Sequence, residues 1–513
     1  MKKRLFSPLL AAALAAALAA AVALTATALP AFADGGEETP ITIGQSQEQA
    51  ECTCTALCTG DNINGECPVC GAEGADLTAC KGFEAQPATL SNALPATALA
   101  AAPENQVIYV GGKEVTSGGY WTTDSAGNVT AYTGEGTPTD NYISYDAENN
   151  VLTLHNATIK NELEFNASIE GGTFINGSAI GVFNKSGNAE LTISLVGTNT
   201  IANVGKGIFV LASSASTGSS NLTIQGDGSL NASASQTGIW VQSNGNNAAL
   251  CVENAEVTAS PDGAVKNGVL VQAKDGSDVS LTVNGGSLTA SVNANIWFQF
   301  GSGASGSGTP TVTVSNNAIV RANGGIANNS SSPIQYETGS DSTGGIVFDG
   351  KNGTVYGSVT LQENLTIGEG ESLTVPSGAS LDTNGKLTVD GGTLTQNGTV
   401  TGGVTYKVTG VSLSPKTLSL NPGKGGTLTA TITPGNATNQ NVTWESSDTK
   451  VVTVDNGLVT AVAEGNATIT VTTEDGSKTA TCTVIVTNNG SGPVVPPQPS
   501  DPAPSQPEGS GST

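Results

Sequence analysis

LTISLVGTNTIANVGKGIFVLASSASTGSSNLTIQGDGSLNASASQTGIWV, residues 191–241, holds two turns of one repeating pattern. Leu191-Thr-Ile193 returns as Leu222-Thr-Ile224, and Gly207-Ile-Phe-Val210 returns as Gly238-Ile-Trp-Val241. Each triplet alternates aliphatic and polar residues, the period of a strand with one dry face. The triplet recurs from Leu163-Glu-Phe165 through Leu250-Cys-Val252 and Leu281-Thr-Val283 to Val312-Thr-Val314, at spacings of 28, 31, 28, 31 and 31 residues. A second series, Phe174, Ile201, Leu230, Val257, Leu288 and Ile319, follows it. The third continues as Gly268-Val-Leu-Val271 and Asn295-Ile-Trp-Phe298, and polar loops come after it.

Three short strands and a polar turn per repeat cannot bury their apolar side alone, but stacked copies form one continuous core. The expected fold is therefore all-β, with a right-handed parallel β-helix of three strands per coil over residues 106–405. Leu191, Leu222, Leu250, Leu281 and Val312 should form an inward ladder, and Thr192, Thr223, Cys251, Thr282 and Thr313 an outward one. Residues 106–160 read as the lead-in and cap, and 346–404 as shorter final coils. A β-sandwich array fits worse, since sandwiches do not repeat three strand types at a fixed period.

The flanks have a different character. Residues 1–33 carry a basic start, a Leu/Ala run and Ala31-Phe32-Ala33, the pattern of a cleaved secretory signal peptide. A flexible leader (34–50), a Cys-rich module (51–82) and an Ala/Pro-rich linker (83–105) follow, and a Pro-rich tail closes the chain at 488–513. No later apolar run is long enough to span a bilayer, so no membrane insertion is expected once the signal peptide is gone. Its removal moves the formal charge from −25 to −28 and leaves Arg321 as the sole arginine. Nucleic acid, which requires clustered cations, is excluded as a partner, and anionic membranes are poor partners for the same reason. An extracellular or cell-surface monomer is the expectation.

Residues 408–487 form a separate pattern: Pro434, Trp444 with Ser446-Ser447, Val451, Val454, Gly457-Leu-Val459, Gly465 and Ile469-Thr-Val471. This stretch resembles the bacterial Ig-like group 2 domain, which implies a β-sandwich serving as a spacer or adhesive module. Alternation puts Cys482, Val484 and Val486 on its inner face, with Trp444 at the centre. The periodic region resembles the β-helical parts of surface proteins from gut Firmicutes, some of them carbohydrate-binding.

Six of the eight cysteines, Cys52, Cys54, Cys58, Cys67, Cys70 and Cys80, crowd into 51–82. An exported chain favours three disulfides, whereas Cys67-Pro-Val-Cys70 has the spacing of a thiolate knuckle for zinc, and both readings stand. Asp275 and Asp278 are the best calcium candidates, although two aspartates in a turn are commonly turn formers. His155, the single histidine, should point to solvent. Arg321 has no flanking acids, and the chain has no Asp-Asp pair. Neither the acid pair of a glycoside hydrolase nor the cationic base and calcium cage of a pectin lyase is evident, so no enzymatic activity is expected.

The central position of the third series is Phe209, Trp240, Leu270 and Trp297, with inward aliphatics on both sides. The column should therefore face outward and offer aromatic faces on which sugar rings stack. The expected function is non-catalytic binding of polysaccharide or host or cell-wall glycans. A purely structural stalk or adhesin is the alternative, and a pectin-active enzyme the third reading.

Overall fold

A computed structural model of the protein describes residues 101–164, 176–263, 267–291, 293–303, 305–339 and 343–488. The signal peptide, leader, Cys-rich module, nearly all of the linker, Phe165, Phe174 and nearly all of the Pro-rich tail lie outside the described residues. What is described is all-β, with no helix.

The first strands of the repeat, Ala189–Val196, Ser220–Gln225, Ala248–Glu253, Val279–Asn284 and Pro310–Ser315, lie side by side in one parallel ladder. Leu191 pairs with Leu222, Leu222 with Leu250, Leu250 with Leu281 and Leu281 with Val312, all inward and buried. Thr223, Cys251 and Thr282 occupy neighbouring outward rungs. At the corner after each first strand stands a residue with left-handed φ: Asn156, Gly197, Gly226, Asn254, Gly285 and Asn316. Gly and Asn enter that region at little cost, which explains why each of these corners carries one or the other.

The second ladder corrects part of the sequence reading. Leu230, Val257 and Leu288 are partners, but Asn199 occupies the rung opposite Leu230, and Ile201 pairs with Ala232. Asn199 is buried because it serves the corner. Its Oδ1 accepts from Ala157 N (2.8 Å), and its Nδ2 donates to Val196 O (3.3 Å) and Ser229 O (3.2 Å). Ile319 is displaced by one residue, with Val320 taking the inward rung opposite Leu288.

The third strands, within Thr198–Ala212 and Ser229–Ser243 and then Asn267–Ala273 and Asn295–Phe300, keep the expected register from Ile208 with Ile239, Val269 and Ile296 onward, but at the start Asn267 rather than Gly268 pairs with Asn295. Gly207 and Gly238 start two of them where successive turns of chain touch. A Cβ at Gly238 would sit 2.9 Å from Gly268 O and from Ala259 Cβ.

The lead-in is antiparallel. Tyr142–Asp146 and Val151–His155 form a hairpin, which joins the first ladder through Leu152 beside Ile193. At the other end, the expectation of uninterrupted shorter coils needs correction. Gly345–Asp349 pairs in parallel with Ala318–Ala322, and then folds back antiparallel onto Asn352–Tyr356. This strand separates two cores, with Val347 packing into the first and Ile346 and Phe348 into the second. Beyond it parallel pairing resumes on a shorter period, as Leu365 with Leu387 with Val404 and Val359 with Leu381 with Val400. Gly410–Ser414 through Thr479–Val486 then build strands around a third core of Val452, Val459, Ile469, Val471, Cys482, Val484 and Val486.

Candidate functional site

Phe209, Trp240, Leu270 and Trp297 lie on adjacent third strands, in register. Their neighbours Ile208, Val210, Ile239 and Val241 belong to the continuous core, and the four themselves do not. The column thus faces away from that core, but it is not an exposed platform. Phe209 is only 3% exposed and Leu270 5%, while Trp240 and Trp297 are half-buried. Phe209 clusters with Tyr109, Leu163, Phe183 and Leu211, and its ring stacks on Trp240 at 4.6 Å between centroids. Side chains in register on parallel strands stand one strand spacing apart, about 4.8 Å, close enough for rings to stack on each other. Their faces are thereby used within the column, leaving Trp240 less aromatic surface for a ligand.

A second outward column runs beside the first, two residues further along each strand. Gln242, Gln272 and Gln299 are partners on three successive strands. Gln272 Nε2 and Gln299 Nε2 both donate to Gly301 O, each at 3.2 Å, and Gln242 Nε2 donates to Asn244 Oδ1 at 2.9 Å. These bonds fix the amides and use one donor apiece. Among the described residues no group donates to the three Oε1 atoms, and each amide keeps a second N–H. Gln242 and Gln272 line a cleft of about 430 Å³ together with Asn244, Lys274, Asp275 and Phe300. The sequence carried the signal, since Trp-Val-Gln, Leu-Val-Gln and Trp-Phe-Gln repeat the amide at one offset. Reading the repeat for apolar residues alone misses it.

A larger cavity of about 540 Å³ lies at the corner before the third strand, lined among others by Glu162, Lys206, Gln236 and Asp262. Two of its charged groups, Lys206 and Glu162, are already engaged. Lys206 donates to Asn176 O at 2.8 Å and stands over the Phe209 ring, and Glu162 accepts from Gly205 N. Burial pushes the Lys206 ammonium below its ordinary value, against the opposing pull of Glu162. This is the chemistry of a clamp holding the irregular strand segment at Val204, where the register shifts.

The remaining candidates separate. Asp275 Oδ1 accepts from Ser307 N and Ser307 Oγ, and these bonds hold its carboxyl below the usual range. Asp278 stands just before the ladder strand Val279–Asn284, and its backbone N donates to Asn247 Oδ1 at 3.0 Å. Among the described residues no group of three or more His, Cys, Asp or Glu is placed to hold a metal. His155 is not simply solvated, because its ring lies parallel to that of Tyr142 at 4.7 Å. Arg321 is not alone. Glu371 reaches it from 50 residues away at 3.3 Å, and its guanidinium lies 3.8 Å from the Phe348 ring centre. Cys251 faces outward beside Glu253, and Cys482 is buried in the third core.

In that third core Trp444 packs over the buried aliphatics, and Trp444 pairs with Val471 across an antiparallel ladder. Residues 407–484 match the bacterial Ig-like domain (group 2) family. This segment is a bacterial Ig-like domain. The chain is 42% identical over 100 residues to an Ig-like virion protein of Serratia phage KSP90, covering 19% of this chain and 39% of that protein. It is 47% identical over 103 residues to a lacto-N-biosidase of Bifidobacterium bifidum, covering 20% of this chain and 9% of the enzyme. A minor capsid protein of Enterobacteria phage T3 is 44% identical over 84 residues, which is 16% of this chain and 19% of that protein. The chain thus spans well under half of each of these relatives. An Ig-like domain is common ground for proteins as different as a capsid component and a glycosidase.

Proposed function

We propose that this chain is an exported, non-catalytic surface protein. In this reading its periodic region is a right-handed parallel β-helix that binds glycan, and its Ig-like domain is a spacer or adhesive module. The handedness follows from the preference of parallel strand crossovers for the right-handed connection. Surface exposure is supported by the kinds of protein that share the domain, a phage virion protein and a minor capsid protein among them.

The observation that carries glycan binding is the row Gln242, Gln272 and Gln299, of which the first two line a cleft of about 430 Å³. That volume falls in the range of small-molecule sites. Amides whose orientation is fixed, each with an open acceptor and a spare donor, match the paired donors and acceptors of sugar hydroxyls. The half-buried Trp297 at the end of the aromatic column adds apolar surface for a ring C–H face. A glycan array probed with the full chain tests this. Binding that falls at least about tenfold in Gln272→Ala, from loss of one or two hydrogen bonds, is the expected result. A chain that binds no glycan on the array would leave the structural stalk as the better reading.

A further inference from the structure

The glutamine row also constrains the shape of its ligand, on the reading that the site binds glycan at all. Gln242, Gln272 and Gln299 sit on three consecutive parallel strands with no offset between them. Their amides therefore repeat in a straight line across the strands, with a period of about 4.8 Å. Gln272 and Gln299 are anchored to the same acceptor, Gly301 O, so these two amides converge on one point, while Gln242 is held separately by Asn244 Oδ1. The row is bounded. On the side of Gln242 the corresponding residue is Leu211, which is buried. Past Gln299 comes Asn329, whose amide is spent on Phe300 N, Phe300 O and Gly303 O.

We infer that the row is a set of three successive subsites for a neutral, extended, β-1,4-linked polysaccharide lying across the strands, one sugar to each glutamine. An extended β-1,4 chain advances by nearly one strand spacing per sugar and stays straight, with alternate sugars turned over, so each amide meets the hydroxyls of one sugar edge or the other. An α-1,4 chain coils, and its hydroxyls leave the line after one residue. Charge argues for a neutral ligand. Asp275, at the edge of the cleft, has its carboxylate occupied by Ser307, and the whole chain carries a net charge of −25. A polyanion would meet that field with Lys274 as its cationic contact among the residues lining the cleft.

The test is calorimetry of the full chain with cello-, xylo- and manno-oligosaccharides from the disaccharide to the hexasaccharide. Maltohexaose serves as the coiled control and carboxymethyl-cellulose as the anionic one. Affinity for at least one β-1,4 series should rise about fivefold per added sugar, near one net hydrogen bond each, and level off at the trisaccharide. Gln272→Ala, which removes the middle rung, should flatten that rise, and an unchanged melting temperature would show the variant to be folded. Binding of maltohexaose as tight as the β-1,4 series, or affinity independent of length, overturns the linear row while glycan binding itself stands. Tighter binding of the carboxymethylated polymer overturns the neutral assignment. Absence of binding to every β-1,4 series overturns the inference, and the array then shows whether glycan binding falls with it.

Discussion

Phe209 and Trp240 show how one position in a repeat changes meaning with its neighbours. The same outward rung that would present a ring to solvent instead stacks ring on ring at 4.6 Å, with Tyr109, Phe183 and Leu211 around it. Phe209→Ala should cost about 3–5 kcal/mol of stability, the range for deleting a buried aromatic, measured by chemical denaturation. Trp240→Ala should cost about 3 kcal/mol, at the lower end because that side chain is only half-buried. Among the described residues Trp240 Nε1 is buried without a hydrogen-bond partner, a state that costs about 1–3 kcal/mol. Trp240→Phe keeps a ring against Phe209 and removes the orphan donor. It should therefore leave stability within about 1 kcal/mol of the parent, and a loss as large as that of Trp240→Ala would show that the indole N–H does have a partner.

At the scale of the strand, the turns and the ladders were legible to different degrees. The first and third ladders could be read because their inward residues repeat as aliphatic pairs at one offset, Leu191 with Ile193 and Ile208 with Val210. Asn199 was not legible in this way. Its rung is filled by Leu230, Val257 and Leu288 on the next strands, and a buried polar residue gives no hydrophobic signal. The fold-back at Gly345–Asp349 was hidden for a related reason: Ile346, Val347 and Phe348 are all buried, on opposite faces, so the strand shows no alternation at all. The amide row stands in the sequence as a glutamine at one offset in Trp-Val-Gln, Leu-Val-Gln and Trp-Phe-Gln, but it gives no hydrophobic signal. Asn199→Leu would bring the second ladder to its own consensus, yet it should destabilise by about 1–3 kcal/mol by leaving the buried Ala157 N–H unpaired. Gly207→Ala should cost a similar amount, since its Cβ would collide with the Gly238 carbonyl oxygen and force the chain apart. An Asn199→Leu variant more stable than the parent would show the corner to be held by other contacts.

Across the whole chain, the described residues bury their apolar side chains in three large clusters that share no residue, and the last belongs wholly to the Ig-like domain. Cooperative unfolding follows shared cores, so a fragment of residues 407–488 should fold alone and melt in one transition at the temperature it shows in the full chain. Its start is fixed by Asp475, which accepts from Val408 N at 3.0 Å and from Lys407 Nζ at 3.1 Å. The Val408 amide first, and the lysine after it, hold this carboxyl below its ordinary value of 3.8. A depressed carboxylate stabilises the fold at pH values above that ordinary value, and the contribution is lost as pH falls through the lower folded value. The melting temperature of the fragment should therefore drop as the solution is acidified below about pH 4. Asp475→Asn should melt lower than the parent at neutral pH and converge with it in acid, because the substitution removes the charge that acid would remove. Parallel melting curves for the two proteins from neutral pH into acid would mean that Asp475 carries none of the acid sensitivity. A fragment that fails to fold would place the edge of the cooperative unit upstream of residue 407, where Tyr406 N donates to Thr438 Oγ1 and Tyr406 O accepts from Thr438 N.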